Sequence, residues 1–345
     1  MTRVGLLGYG SAGRTFHAPL ITAAGLEIVA VATSSPERVA QVGQDHPAAL
    51  VVPDFAALLE VEDLDLVVIA SPTGVHVEQA REVAGAGLAA VVDKPLAVDA
   101  SGALEVCDVF AHEGTALTVF QNRRYDPEFR TLQAVLASGR LGTIVRAELR
   151  WERWRPVPKD RWRENATAEQ GGGLLLDLFS HLVDQAVLLF GGVLTVYAEL
   201  AAHTTTAEDT AFLSCRHTSG VISHLGATTV AAAPGPRVRL LGEHAAYVLA
   251  AQRTEETAFT EFLPKDAAHA GWLVRGDTRE QVPVVPSDPS DFYREVAAAL
   301  AGPDPQAAMP VDPRDAVHVL AVLDAARVSA AAARVVEVIT PGEVP

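Results

Sequence analysis

The stretch Val4–Gly13, VGLLGYGSAG, decides how the rest of the chain is read. Val4, Leu6 and Leu7 form the short apolar run of a buried strand, and Gly8, Gly10 and Gly13 follow at G-x-G-x-x-G spacing, just ahead of a helical pattern over 15–24. At that spacing the first glycine permits a tight turn, the second lets the backbone approach a pyrophosphate, and the third lets the helix pack close to the strand. The helix start adds free N–H groups and a positive dipole end, both favourable to phosphate. The stretch predicts a dinucleotide site lined by Gly8, Tyr9, Gly10, Ser11, Ala12 and Gly13.

Working outward, residues 27–33 give a second apolar strand ending in Thr33-Ser34-Ser35-Pro36-Glu37-Arg38. An NAD-specific site usually places an acid here for the ribose hydroxyls. No acid ends this strand. The hydroxyls of Thr33, Ser34 and Ser35, with Arg38 one helical turn on, suit a 2′-phosphate, so NADP is favoured as cofactor and NAD is the alternative. Ser35-Pro36 also reads as a helix start, with proline in the first turn. Short strands at 51–52 and 65–70, with a helix over 54–59 between them, continue the alternation of a doubly wound parallel sheet. The 65–70 strand runs into Ser71-Pro72-Thr73-Gly74-Val75-His76, and loops at the carboxyl ends of parallel strands line the ligand crevice. Ser71, Pro72, Thr73 and His76 are therefore candidate cofactor contacts, with Thr73 as a helix cap and His76 as a first-turn residue the structural alternative. The strand over 89–92 ends in Asp93-Lys94-Pro95-Leu96. A lysine at such a strand end can hydrogen-bond a substrate hydroxyl and stabilise a developing alkoxide.

A helix over 100–112 and a strand over 116–120 close the first half, followed by Gln121-Asn122-Arg123-Arg124-Tyr125. The pattern then changes. Residues 143–151 alternate, Arg146, Glu148 and Arg150 against Val145, Ala147 and Leu149, as in a half-exposed strand. Further strands are expected at 194–201, 210–217, 220–228 and 237–241, with helices over 126–138, 291–301 and 313–331 and a closing strand at 335–339. The run Gly171-Gly172-Gly173 opens a helix over 174–190 whose apolar faces surround Asp177 and His181. These two lie four residues apart and so project from the same face. An acid and a histidine on a largely apolar helix need a purpose. Residues 251–290 show no clear period. The expected fold class is α/β: an N-terminal Rossmann doubly wound parallel sheet over 1–121, then an α+β domain over 122–345 with a large open, mainly antiparallel sheet.

Composition limits the function classes. The chain has 345 residues, 49% hydrophobic and 20% charged, enough for two domains with real cores. No apolar run reaches the roughly 18 residues of a membrane helix. The first strand begins so early that no secretory signal fits ahead of it, so a cytoplasmic protein is expected. Cys107 and Cys215, the only two cysteines, read as reduced core residues. A formal charge of −16 opposes nucleic acid and anionic membranes. The basic cluster Arg153, Arg155, Lys159, Arg161 and Arg163, interleaved with Trp151, Trp154 and Trp162, therefore reads as a loop over a substrate crevice or at a subunit contact.

GYGSAG, SPTGVH, DKPLA and GGGLLLDLFSHLVDQ together resemble the Gfo/Idh/MocA oxidoreductases, the glucose-fructose oxidoreductase and inositol dehydrogenase family, over nearly the whole chain. GYGSAGRTFHAPL, FQNRRYDPEF and DRWREN are most similar to the branch holding NADP-dependent scyllo-inositol dehydrogenases. That family usually has Glu before the lysine, where this chain has Asp93. The resemblance implies a hydride-transferring enzyme for a sugar or polyol, with Lys94, Asp177 and His181 catalytic and no metal. It further implies that Asn122 and Arg124 lie near the substrate, although the two arginines of that turn could equally pair with acids. Two rivals remain: a redox-neutral, nicotinamide-dependent glycosidase and a non-catalytic nicotinamide-binding regulator. A homodimer or homotetramer is expected, because open sheet faces often self-associate.

Overall fold

The computed structural model describes residues 1–158, 162–250 and 269–342, with backbone only at 162, 163 and 169. Lys159 and Arg161 of the basic cluster thus lie outside the described residues, as do residues 251–268 of the stretch 251–290 that has no clear period. The chain divides into two compact units, Met1–Asn122 with Pro289–Val317, and Arg123–Asp288 with His318–Pro345. Chain order alone had assigned everything after 121 to the second domain; the segment 289–317 instead belongs with the first unit.

The first unit is a six-stranded parallel sheet in the order β3-β2-β1-β4-β5-β6. Its strands are β1 Arg3–Leu7, β2 Glu27–Ala32, β3 Leu50–Val52, β4 Leu66–Ile69, β5 Ala89–Asp93 and β6 Leu117–Phe120. This is the dinucleotide-binding Rossmann order, in which ligands bind at the carboxyl ends where strand order reverses. Leu7 pairs with Ile69, and Ile69 with Val92, so the glycine turn after β1 and Lys94 after β5 leave the sheet at one level. The returning segment closes the far edge. Gln306 uses its side-chain amide as a surrogate strand for Leu117, accepting from its N–H at 2.8 Å and donating to its carbonyl at 3.3 Å. That satisfies backbone groups an edge strand would otherwise expose. Phe292 and Tyr293, on the helix Asp291–Leu300, pack against Phe120 with ring centroids 5.0 and 5.8 Å away.

The second unit holds a nine-stranded sheet in the order β14-β13-β12-β11-β7-β10-β9-β8-β15. These are β7 Ile144–Glu152, β8 Val193–Ala201, β9 Thr210–His217, β10 Ile222–Thr228, β11 Val238–Gly242, β12 Ala246–Leu249, β13 His269–Arg275, β14 Thr278–Pro283 and β15 Val336–Glu337. Every neighbouring pair is antiparallel except β7 with β10. Ala147, Leu149 and Trp151 of β7 are buried, but Val145 at the head of that row is exposed, and Glu148 on the opposite row is buried under Arg150 and Arg239. Both cysteines are free and buried, and burial pushes each thiol up to about 12. No helix among the described residues is long and apolar enough to cross a membrane.

Candidate active site

In the first unit the glycine turn fits a dinucleotide. A Cβ on Gly13 would lie 2.1 Å from the Gly8 carbonyl oxygen, so only glycine allows that helix to start against the turn. Gly10 differs: a Cβ there would meet only the Arg38 guanidinium, at 3.8 Å, and otherwise open space. The first helical turn, Gly13–His17, is π-helical before the α-helix Ala18–Ala23, a bulge type frequent at functional sites. Ser11 is exposed and Ala12 precedes the π turn without a capping side chain. Tyr9 turns its ring inward and donates its hydroxyl to Asp45 at 3.0 Å, and Arg14 donates to the same carboxylate at 2.8 Å. Burial, then Asp45, pushes the Tyr9 phenol up to about 12, so its side chain anchors the turn as a neutral donor.

Thr33 is buried, Ser34 exposed and Ser35 half-buried. Ser35 occupies the cap position of the helix Pro36–Asp45, yet its hydroxyl makes no capping bond. Arg38 is exposed and has no ion pair among the described residues. Hydroxyls and a guanidinium are thus left facing solvent beside the glycine turn.

His76 takes up contacts within the first unit. Its ring is buried, with Nδ1 3.0 Å from the Pro95 carbonyl and Nε2 2.9 Å from the Ser71 carbonyl. Burial pushes its pKa down, against the pull of those carbonyls and of Asp93. The imidazole ties two crevice loops together and is not exposed to a cofactor. Ser71 hydrogen-bonds Gln79 at 2.5 Å, Pro72 is exposed, and Thr73 is buried at the start of a 3-10 turn.

Lys94 is half-buried where β5 ends, and its peptide bond to Pro95 is cis. Behind it lies a network that the sequence did not reveal. The Lys94 N–H donates to Asp93 Oδ1 at 2.8 Å, the same oxygen sits 3.7 Å from His17 Nε2, and His17 Nδ1 meets the Tyr293 hydroxyl at 2.5 Å. His17 is fully buried, its ring centroid 4.2 Å from that of Phe120. Burial alone would raise the Asp93 pKa; His17, then Lys94 and His76, outweigh it and hold the carboxyl below its ordinary range. Asp93 is therefore a fixed anion at the base of the lysine.

In the second unit the helix expected over 174–190 is two pieces, a π turn Leu175–Phe179 and the α-helix Ser180–Phe190. Both pack on β10. Gly173 has φ +90°, and a Cβ there would run into the Glu208 carboxylate at 2.3 Å. Glu208 in turn accepts from the Leu175 N–H at 3.0 Å, an acid placed where the helix dipole favours it. The turn thus held presents Asp177, half-buried and lining a cleft, while His181 is buried with its ring 6.0 Å from that of Trp151. Arg124, read as either a substrate contact or the partner of an acid, donates Nε to Asp184 at 3.0 Å and Nη2 to its other oxygen. Asp184 is buried, so this bidentate pair is structural. Asn122 is half-buried at the start of the 3-10 turn Asn122–Tyr125. Asp184→Ala, which removes the buried carboxylate that Arg124 grips with both nitrogens, should cost about 3–5 kcal/mol in denaturant unfolding; an unchanged midpoint would show that the pair is dispensable.

A sheet of this order, carrying this glycine turn, is a Rossmann dinucleotide-binding domain. Residues 2–121 match the model of the oxidoreductase family with an NAD-binding Rossmann fold, and residues 129–248 match a GFO/IDH/MocA C-terminal domain. The chain belongs to the Gfo/Idh/MocA oxidoreductase family. It is 35% identical over 338 residues to the uncharacterized oxidoreductase YdgJ of Escherichia coli, covering 93% of this chain and 94% of that one. It is 27% identical to the scyllo-inositol 2-dehydrogenase (NADP(+)) IolW of Bacillus subtilis, covering 94% and 92%. Among solved structures, the putative oxidoreductase YPO2259 of Yersinia pestis is 31% identical and superposes with a TM-score of 0.85, covering 98% and 97%.

Proposed function

We propose that this protein is an NADP-dependent dehydrogenase acting on a CH–OH group of a sugar or inositol-type polyol. The observation that carries the reading is Lys94, set on Asp93 and leaving β5 level with the glycine turn two strands away, a lateral distance of about 10 Å. A cation at that edge serves chemistry next to a bound dinucleotide. The name of the Bacillus subtilis relative, which carries both NADP(+) and an inositol, supports cofactor and substrate class.

In this reading Gly8–Gly13 holds the pyrophosphate, Thr33, Ser34, Ser35 and Arg38 hold the 2′-phosphate, and the loop Ser71–Thr73 borders the nicotinamide end. The bound nicotinamide supplies a two-electron acceptor or donor for the reacting carbon. Lys94 donates a hydrogen bond to the substrate oxygen and stabilises its alkoxide character. His181 takes the hydroxyl proton in oxidation and returns it in reduction, as histidine does near neutral pH. Asp177 binds a neighbouring hydroxyl or orients His181, and Asn122 contributes a substrate contact. A homodimer or homotetramer formed through the open sheet would appear in sedimentation at two or four times the 36.4 kDa chain.

The test is absorbance of reduced nicotinamide with inositols and aldoses, each with NADP and with NAD. Turnover with NADP is expected. Release of free sugar from an added glycoside without net NADPH would move glycoside cleavage ahead, and tight cofactor binding with no turnover would indicate a regulator. Arg38→Ala should raise KM for NADP about 10- to 100-fold and leave that for NAD little changed. Equal losses for both cofactors would remove Arg38 from the 2′-phosphate.

A further inference from the structure

The covered face of β7 does not end with the strand. Ala147, Leu149 and Trp151 are buried on it. Past Glu152 the backbone stays extended, Arg153 N–H donating to the Thr228 carbonyl at 2.9 Å and Arg155 N–H to that of Thr229 at 2.7 Å, with Trp154 bridged to Val230. The alternation therefore continues. Trp154 is exposed, and Arg153 and Arg155 take the next two positions on the face of Trp151. Two arginines thus occupy a row whose earlier members are core. They line an open cleft together with Asp177.

Among the described residues, neither the Arg153 nor the Arg155 guanidinium has an ion pair with a carboxylate. Arg123, Arg153 and Arg237 crowd one indole, their guanidinium carbons 5.1, 5.4 and 4.6 Å from the Trp151 centroid. Arg123 pairs with Asp126 at 3.0 Å and Arg237 with Glu128 at 3.2 Å. Burial, then repulsion from Arg155, pushes the Arg153 pKa down, with Arg237 and Arg123 adding to the repulsion and Asp177 opposing it. Of the cleft acids, Glu208 is engaged with the Leu175 N–H, and Asp209 accepts from the N–H groups of His203 and Thr204 and from the Thr204 hydroxyl. Half-buried guanidinium groups without a close ion-pair partner are stabilised by a bound anion.

The spacing gives the anion a place in the reaction. The Trp151 ring lies beside His181, and each further residue on this face is about 6.6 Å along the strand. We propose that the substrate carries a carboxylate or phosphate, and that Arg153 and Arg155 bind it while the reacting carbinol lies at His181. This rests on the dehydrogenase reading above and narrows it to sugar acids or sugar phosphates. Guanidinium forks suit both anions bidentately.

The test pairs turnover with binding. NADP-linked rates are compared for D-glucose, D-glucuronate and glucose 6-phosphate, and for inositol and an inositol phosphate. Calorimetric titration of the cofactor-free protein with D-glucuronate and with glucose 6-phosphate needs no turnover. An anionic member should exceed its neutral counterpart in kcat/KM by about 10-fold or more, and Arg155→Gln should raise KM for it about 10- to 100-fold, Arg155→Lys less. Arg153→Gln should act in the same direction; Arg155, away from the Trp151 ring, keeps the test valid if that variant misfolds. The uronate and phosphate arms identify which anion is bound. Turnover of neutral and anionic members at equal efficiency, unaffected by Arg155→Gln, would overturn the inference and leave the dehydrogenase standing. Anion binding lost in Arg155→Gln, with no turnover of any compound, would keep the subsite and overturn the dehydrogenase. No turnover and no binding heat would overturn both.

Discussion

If Lys94 acts on the substrate oxygen as proposed above, replacing it with methionine should lower kcat by about 10²- to 10⁴-fold and change cofactor affinity far less. Methionine keeps the length and apolar stem of lysine and removes only the charge, so the half-buried site keeps its packing. The charge has a partner built in. Asp93 is fixed as an anion against the Lys94 backbone N–H, with His17 and Tyr293 stacked behind it, so the removed ammonium leaves a carboxylate whose field no longer points at a cation. Lys94→Arg restores charge with the wrong shape and should recover only part of the rate. Single-turnover absorbance gives the rate, and quenching of reduced-cofactor fluorescence gives the affinity. A Lys94→Met protein turning over within 10-fold of wild type would remove Lys94 from the chemistry. One that loses rate and cofactor together would make it a cofactor ligand.

How much of this was legible varies by element. The parallel sheet could be read because its inner strands are buried on both faces and therefore run as apolar words, as in Leu66–Ile69 and the Ala89–Val92 part of β5. β14 could not. It is an edge strand with only Val282 buried, so TREQVP carries no alternation to detect. Its partner β13 is interrupted by a register shift near Gly271, at φ +85°, which breaks the period of two. The fate of 289–317 was hidden for a different reason: helical periodicity marks Phe292, Tyr293 and Val296 as a buried face but says nothing about which sheet buries it.

The candidate site shows the same division. Local spacing placed Asp177 and His181 on one stretch and Lys94 at a strand end, because those are short-range facts. It could not show that Arg124 is committed to Asp184, 60 residues on, or that the His76 ring is enclosed by two carbonyls. Two signals were present and unread. His17 lies one turn beyond the glycines, where an imidazole on a buried helix face needs a partner. Arg153 and Arg155 keep the parity of Ala147, Leu149 and Trp151, and a charged pair on a core-facing row is a stronger statement than a basic cluster.

The two inner glycines of the turn should fail in opposite ways, which tests the dinucleotide assignment without any substrate. In Gly13→Ala the new methyl lies 2.1 Å from the Gly8 carbonyl oxygen and 3.1 Å from its carbon, and both obstacles are backbone. The helix must move off the sheet, at a cost of about 1–3 kcal/mol or more in the stability of the cofactor-free protein. In Gly10→Ala the methyl meets only the mobile end of Arg38 at 3.8 Å, an ordinary contact, and Gly10 is not among the positive-φ glycines. Without cofactor that variant should unfold within about 1 kcal/mol of wild type, and the loss of glycine's freedom in the unfolded chain favours a slight gain. Its defect appears on adding NADP, because the methyl stands where the backbone must admit the pyrophosphate. Thermal unfolding with and without NADP separates the cases: Gly13→Ala melts early in both, whereas Gly10→Ala melts normally alone and lacks the shift that ligand binding gives wild type. A full NADP-dependent shift in Gly10→Ala would show that the pyrophosphate does not cross this turn.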